Sequence, residues 1–196
     1  HYEQFADGSL KDIEDEIPFE EPINWTWCRF NNTTKVKLDG DWIESKDQSP
    51  SGIRLIQTGN VGNGVFKDKP STYKFISEKT FNDLNCTEIF SGDILISRLP
   101  EPVGKTCIIP DSPFRMITAV DCTIVRLNEE IINKKYFSYY TQSLLYFELV
   151  KEHCSGSTRL RISKDNLKTV LFLIPPLSEQ QRIVDAIEEI FVQLDI

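Results

Sequence analysis

The alternation of apolar and polar residues along the chain predicts many short strands and few helices. Residues 53–58 alternate as a half-buried strand does, and the glycine-rich stretch 59–64 ends that strand. Further strands are predicted at residues 94–99, in "GKTCIIP", in "MITAVDCTIVRL" and in "VLFLI". We therefore expect an α/β fold with a twisted sheet, mixed or mostly antiparallel, flanked by short helices.

Helical spacing predicts a longer amphipathic helix over residues 133–150. Its apolar positions recur at spacings of three and four: Phe137, Tyr140, Leu144 and Phe147. This spacing places them on one face of a helix. Two shorter helices are predicted to begin after Ser77 and Ser163, because serine is a favoured N-cap residue.

A last helix follows the proline pair at positions 175 and 176. Ser178 and Gln181 have the spacing of a capping box. A seam of apolar residues runs along this helix: Ile183, Ile187, Ile190, Phe191 and Leu194. The prolines separate the helix from the preceding strand, so we expect a projecting helix of the coiled-coil type whose seam forms an interface.

Charge is unevenly distributed along the chain. The net charge is −8, which argues against a general nucleic-acid coat. Residues 1–22, an extended acidic lead-in by composition, hold eight acidic residues against Lys11 alone, and the terminal helix holds five against Arg182. Residues 23–177 keep 17 acidic and 20 basic residues, so the middle of the chain is mildly basic.

Cysteine and hydropathy patterns limit the class of protein. The five cysteines show no C-x-x-C spacing, and His1 and His153 complete no zinc pattern. We expect reduced thiols, a cytoplasmic location, no metal and no cofactor. No apolar run approaches the ~20 residues that span a bilayer, so no membrane association is predicted.

Candidate catalytic groups are sparse. Asp41, Glu44 and Lys46 echo the acid and Glu-x-Lys set of metal-dependent nucleases, but here they lie close together in one loop. The glycines of the 59–64 stretch do not precede a nucleotide-binding helix, and neither histidine stands in a hydrolase frame. A small nuclease therefore stays an alternative to a binding protein.

Polar loops in the basic middle favour binding of double-stranded DNA. Asn and Gln pair with adenine, Arg pairs with guanine, and Lys and Arg hold phosphates. The candidate base readers are Gln57, Thr58, Asn60, Arg98, Thr158 and Arg159. The candidate phosphate-binding residues are Lys67, Lys69, Lys105 and Arg161.

Several stretches together resemble a target recognition domain of the type I restriction-modification specificity subunits. The most specific is "FLIPPLSEQQRIVDAI", similar to the strand, proline pair and spacer helix of that family. "GSTRLRIS", "SGDILISR", "GKTCII", "PFEEPINWTWCRF" and "DGDWIESKD" with "GIRLIQTGNVG" resemble other parts of such a domain. The resemblance divides the chain into the lead-in (1–22), a recognition domain (23–176) and the start of a conserved spacer helix (177–196).

The resemblance also implies a division of labour. Such subunits are not enzymes; they carry two recognition domains that each read half of a split DNA site. Antiparallel helices separate the domains and dock methyltransferase subunits, through which the restriction subunit joins. With one such domain here, the helix is expected to pair with a second recognition domain or with a copy of the chain. A protein–protein interaction module that works through this helix alone is a further alternative.

Overall fold

The computed structural model describes residues 1–99, 101–156 and 159–194. Its strands are β1 (Tyr2–Gln4), β2 (Leu10–Asp12), β3 (Thr26–Arg29), β4 (Thr34–Asp39), β5 (Gln48–Ser49), β6 (Ile53–Ile56), β7 (Lys74–Ile76), β8 (Glu88–Ile89), β9 (Ile94–Ser97), β10 (Thr106–Ile108), β11 (Met116–Thr118), β12 (Cys122–Leu127) and β13 (Leu171–Ile174). Its α-helices are α1 (Glu78–Asp83), α2 (Lys134–Tyr140), α3 (Leu144–Glu152), α4 (Lys164–Thr169) and α5 (Leu177–Gln193). In the part of the chain that the structure describes, no helix is both long enough and apolar enough to cross a membrane.

The strands form two main sheets, which confirms the expected α/β class. One sheet has the order β10–β9–β12–β4 and the other the order β5–β7–β6–β11–β8. The pairing of β6 with β11 is parallel, and the other strand pairs of these sheets are antiparallel. The sheet is therefore mixed, as predicted, but divided in two.

The predicted strand "MITAVDCTIVRL" is two strands. A tight turn breaks it, in which Cys122 N donates to Ala119 O at 2.9 Å. β11 and β12 then join different sheets. The run of β-branched residues hides this turn in the sequence, because the turn contains neither glycine nor proline.

A third pairing closes the domain, since β13 runs antiparallel to β3. Phe172 on β13 lies opposite Cys28 and has no exposed surface. Its ring contacts four other aromatic rings, with centroids 4.9 to 5.6 Å away: Phe30, Phe137, Tyr140 and Tyr146. This aromatic cluster is the centre of the largest hydrophobic core.

The single helix predicted over residues 133–150 is wrong, because the chain breaks it into α2 and α3. Ser143 caps α3, and its hydroxyl accepts from Tyr146 N at 3.2 Å. The break rotates the apolar face, so Leu144 is 83% exposed instead of buried. The caps predicted at Ser77 and Ser163 are confirmed, with each hydroxyl accepting a backbone N–H of its helix.

The acidic lead-in is a hairpin of β1 and β2, not an extended segment. The buried guanidinium of Arg29 binds Glu3 at 2.9 Å and Glu16 at 2.8 Å, and it donates to Thr169 O at 3.0 Å. Ile13, directly after β2, is buried. Two residues of the acidic lead-in, Glu3 and Glu16, therefore fix this segment to the domain.

Helix α5 begins two residues earlier than the predicted capping box. Pro176 is its N-cap, and the carbonyl of Pro176 accepts from Glu179 N and Gln180 N at 2.8 and 3.0 Å. Ser178 lies inside the helix and cannot cap it. The predicted cap is wrong because the helix has already begun at Leu177, after a proline whose fixed φ angle suits a helix start.

Gln180 locks α5 onto the domain. Its side chain is fully buried, accepts from Asn133 N at 2.7 Å and donates to Ile131 O and Pro175 O at 2.9 and 2.8 Å. Val184, one turn later, is also fully buried. The first half of α5 therefore packs along α2 and belongs to the domain core.

The second half of α5 leaves most of its apolar surface uncovered. Ile190, Val192 and Leu194 are more than half exposed, and Phe191 is 38% exposed. Phe191 contacts the ring of Tyr139 edge-on, at a centroid distance of 6.0 Å. The predicted apolar seam thus has two parts. Its first part, which begins at Ile183, packs on the domain, and its last part is left largely exposed by the described residues.

We expect Gln180→Ala to lower the free energy of unfolding by about 2–3 kcal/mol, because it leaves a buried amide N–H and two carbonyls without their partner. Chemical denaturation measures this change. The matched control is Gln181→Ala, which removes an exposed amide and should cost less than about 0.5 kcal/mol. Equal effects of the two variants would contradict the role of Gln180.

Acid should weaken the link between the lead-in and the domain. Hydrogen bonds from Arg29 and then Lys11 lower the pKa of Glu16 to about 2, from an ordinary value of 4.5. Because the pKa is lower in the folded state, the ion pair stabilises the fold above pH 4.5 and loses its effect as the pH falls towards 2.

The variant Glu16→Gln tests this link. We expect it to be less stable than the parent at pH 7 by about 0.5–1 kcal/mol, since Glu16 is partly exposed. The difference should shrink as the pH falls from 5 to 3 in denaturation curves. A difference that is constant across this range would show that Glu16 does not act through its charge.

Candidate functional site

The loop after β6 is built by its own side chains. A short 3-10 helix covers Thr58–Asn60. The Asn60 amide accepts from Gln57 N at 3.0 Å and donates to Lys67 O at 2.9 Å. Both ends of this amide are thus used inside the loop, which does not fit the predicted reading of a base by Asn60. Gln57 and Thr58 lie beside it, partly exposed.

An ion pair between Asp68 of the same loop and Arg54 of β6 fixes the loop, and two of the predicted phosphate-binding lysines flank Asp68 at the surface. Asp68 binds Arg54 Nη2 at 2.5 Å and accepts from the Tyr73 hydroxyl at 2.7 Å. The buried Arg54 guanidinium also lies 3.7 Å from the centroid of the Tyr73 ring. The hydrogen bond from Tyr73, and then Arg54, lower the pKa of Asp68, so this carboxylate stays charged. Its neighbours Lys67 and Lys69 are exposed.

Lys105 joins these two lysines from a distant part of the chain. The tip of the first loop contacts β10, where Gly64 N donates to Thr106 O at 2.9 Å. The backbone of Gly64 has a φ of +75°, a conformation that favours glycine. Burial and then the nearby charges of Lys67 and Lys69 lower the pKa of Lys105. The fold therefore gathers three of the four predicted phosphate-binding residues into one group, which we call the lysine cluster: Lys67, Lys69 and Lys105.

Arg98 lies inside the fold, against the prediction that it reads a base. Only 5% of its surface is exposed. Its guanidinium donates to Val120 O and lies 3.4 Å from Asp39 Oδ1. The sequence suggested a surface loop here, but β9 continues inward and carries Arg98 beneath the neighbouring turn.

The loop at residues 155–161 is closed by a two-residue bridge. Ser155 N donates to Arg161 O at 2.8 Å, and Arg161 N donates to Ser155 O at 2.9 Å. Arg159 and Arg161 are exposed. The predicted base reader Thr158 lies outside the described residues. Arg159 and the 101–103 turn line the same cavity of about 820 Å³, so this loop neighbours the turn that leads to Lys105.

The three groups of the nuclease alternative have separate partners. Asp41 accepts from Thr87 N at 3.0 Å, and burial raises the pKa of this carboxyl. Glu44 pairs with Lys46 at 2.5 Å. Among the described residues, no group of three or more His, Cys, Asp or Glu side chains has a metal-binding arrangement. This geometry gives the nuclease alternative no support.

Several structural residues of the site escaped the sequence analysis. Arg54 stands in an alternating strand, where a charged residue predicts exposure, and yet it is 4% exposed. Asp68 stands between two lysines, so the sequence indicates a charged surface loop and not an internal ion pair. The only hint in the sequence is that Asp68 and Tyr73 lie a few positions apart, after a strand that carries Arg54. This combination of residues is too common in proteins to identify an ion-pair anchor.

Comparisons with known proteins place the chain in one family. The family model described as type I restriction modification DNA specificity domain matches residues 29–196. The EcoEI specificity subunit of Escherichia coli is 25% identical over 193 residues, which cover 93% of this chain and 31% of that protein. The EcoAI specificity subunit of the same organism is 25% identical over 181 residues, which cover 90% of this chain and 30% of that protein. The chain thus spans about a third of the length of these relatives.

Solved structures show the same fold. The HsdS subunit from Thermoanaerobacter tengcongensis aligns with a TM-score of 0.64 and 22% identity, over 91% of this chain and 40% of that chain. A structure from a study of complex assembly and conformational transition of the type I R-M system aligns with a TM-score of 0.67 and 23% identity, over 91% and 41%. Since the family model covers both loops of the site and helix α5, the chain belongs to the family of type I restriction modification DNA specificity domains.

Proposed function

We propose that this domain binds double-stranded DNA and recognises one half of a bipartite target site. The lysine cluster is the observation that carries the proposal beyond family membership. Its members come from two loops about forty residues apart, and the fold brings these loops together where Gly64 N donates to Thr106 O at 2.9 Å. Like charges held together at a surface are costly unless an anion joins them, and the DNA backbone supplies such anions.

The contacts divide by chemistry. Lys67, Lys69 and Lys105 bind phosphates and set the position of the domain on the duplex. Gln57 and Thr58, beside the cluster, and Arg159, on the second loop, reach base edges in a groove. On the same second loop, Thr158 adds a contact to a base and Arg161 adds a contact to a phosphate. Asn60 and Arg98 shape the loops from within.

The domain acts as part of a larger assembly in the cytoplasm. The relatives are named as specificity subunits of type I restriction enzymes, and this chain spans about a third of their length. Methyltransferase subunits and, through them, a restriction subunit perform the chemistry, so the chain itself is not an enzyme. The exposed outer half of α5 pairs with a second recognition domain or with a copy of the chain, and residues 23–176 form the recognition domain.

Selection of binding sites from a pool of random duplexes tests the proposal. The full-length protein, assembled with its methyltransferase subunits, should enrich one sequence motif. An assembly that enriches no motif would contradict sequence-specific recognition. Incubation of the selected duplex with Mg²⁺ alone should leave it intact; cleavage that Glu44→Ala abolishes would instead favour the nuclease alternative.

Loss of a cluster lysine should weaken binding and lower its dependence on salt. Each phosphate contact contributes about 0.9 to the slope of log K against log salt concentration. We expect Lys67→Ala or Lys105→Ala to reduce the slope by about that amount, on the selected duplex and on a scrambled one alike. Fluorescence anisotropy over a series of salt concentrations measures the slope.

The matched control is Lys79→Ala. Lys79 is an exposed lysine on α1 that pairs with Asp83 and lies outside the lysine cluster. Its loss should leave the slope unchanged. If the cluster variants and this control behave alike, the phosphate contacts lie elsewhere.

A further inference from the structure

We infer that Arg98 is a positioning residue, which sets the distance between the two DNA-contacting loops without touching DNA. This inference rests on the proposed function and names the part of the fold that determines its specificity. Arg98 is 5% exposed and lies between the end of the second loop and the turn before β12. Its backbone and its side chain each hold a different neighbour.

The backbone of Arg98 joins the turn before β12 to the end of the second loop. Arg98 N donates to Asp121 O at 2.9 Å, and Arg98 O accepts from Ile162 N at 3.3 Å. Ile162 is fully buried and directly follows the loop that carries Arg159 and Arg161. The end of the second loop is therefore attached to the end of β9.

Residue 97, one position earlier, attaches the turn that carries Lys105. Ser97 N donates to Lys105 O at 2.9 Å, and Gly104 N donates to Ser97 O at 2.8 Å. Gly104 has a φ of +90°, and a Cβ there would lie 2.9 Å from Val150. Ser97, the last residue of β9, thus holds the turn that carries Lys105, and Arg98, the next residue, holds the end of the second loop.

The side chain of Arg98 links the remaining parts. It donates to Val120 O, in the turn that follows Thr118. The hydroxyl of Thr118 in turn donates to Ile56 O, directly before the first loop. It also lies 3.4 Å from Asp39 Oδ1, while Asp39 Oδ2 binds Lys164 at 2.7 Å. Lys164 begins α4, which follows the second loop. One buried arginine thus reaches the supports of both loops.

This arrangement predicts a specific effect on binding. Phosphate contacts should survive the loss of the Arg98 side chain, because each lysine of the cluster stays in place on its own loop. Simultaneous contact of both loops with one duplex should fail, because their separation is no longer set. Affinity for the selected site should therefore fall, while the salt dependence and the affinity for a scrambled duplex stay as they were.

The test compares Arg98→Met and Asp39→Asn in the full-length assembly, with the duplex selected by the parent protein and a scrambled duplex. Each variant should bind the selected duplex weaker by on the order of tenfold, comparable with losing one base contact. The salt slope should not change. Arg115→Met is the control, since Arg115 pairs with Glu78 and Glu88 outside both loops; it should bind as the parent does.

Asp39→Asn gives the sharper result, because it removes a negative charge. Direct electrostatics predicts tighter DNA binding for this variant, whereas loss of positioning predicts weaker binding. It also serves if Arg98→Met does not fold, which circular dichroism and thermal melting will show. Tighter binding by Asp39→Asn, unchanged binding by both variants, or a slope lowered by about 0.9 in Arg98→Met would overturn the inference.

The result is separable from the fate of the proposed function. If the parent assembly selects no motif, the proposed function fails before the variants are compared. If the parent selects a motif and Lys67→Ala lowers the slope, the proposed function stands whatever Arg98→Met does.

Discussion

The pairing of β3 with β13 is the constraint on which the rest of this domain depends. It joins segments about 145 residues apart and places Phe172 among rings from the entry of the domain, α2 and α3. A long-range pairing of this kind carries a large entropic cost of loop closure, which the burial of the aromatic cluster offsets. It also brings the start and the end of the domain to one place, so that the acidic hairpin and α5 leave from the same side.

With the ends joined, the loops between the strands can carry polar chemistry without endangering the core. Their shape is set by hydrogen bonds and ion pairs of their own, such as Asp68 with Arg54 and Asn60 with Lys67. Buried polar groups of this kind cost free energy unless they are satisfied. The Arg54 guanidinium on β6 is paired with Asp68 of the loop, and the Asn60 amide has its partners within the loop. Recognition loops can therefore change sequence at their surfaces while their internal anchors keep them in place.

Local rules explain which sequence predictions succeeded. Ser77 and Ser163 cap helices as predicted, because a cap depends on residues two or three positions away. The helix over residues 133–150 failed, because Ser143 acts as a second cap inside a sequence that keeps helical spacing. The capping box at Ser178 failed for the opposite reason, since Pro176 had already begun the helix. Where two local signals compete, packing decides between them.

The sequence by itself determined the α/β class, the family, the strands β6, β9, β10 and β13, the caps at Ser77 and Ser163, and the residue types that meet DNA in the proposed function. These depend on short patterns and on motif spacing. Only the tertiary structure decided that Lys105 joins Lys67 and Lys69, that Arg98 is buried, and that Gln180 rather than Ser178 secures α5. The physical reason is distance along the chain: each of these outcomes depends on a partner at least 22 residues away, and no local pattern contains that information.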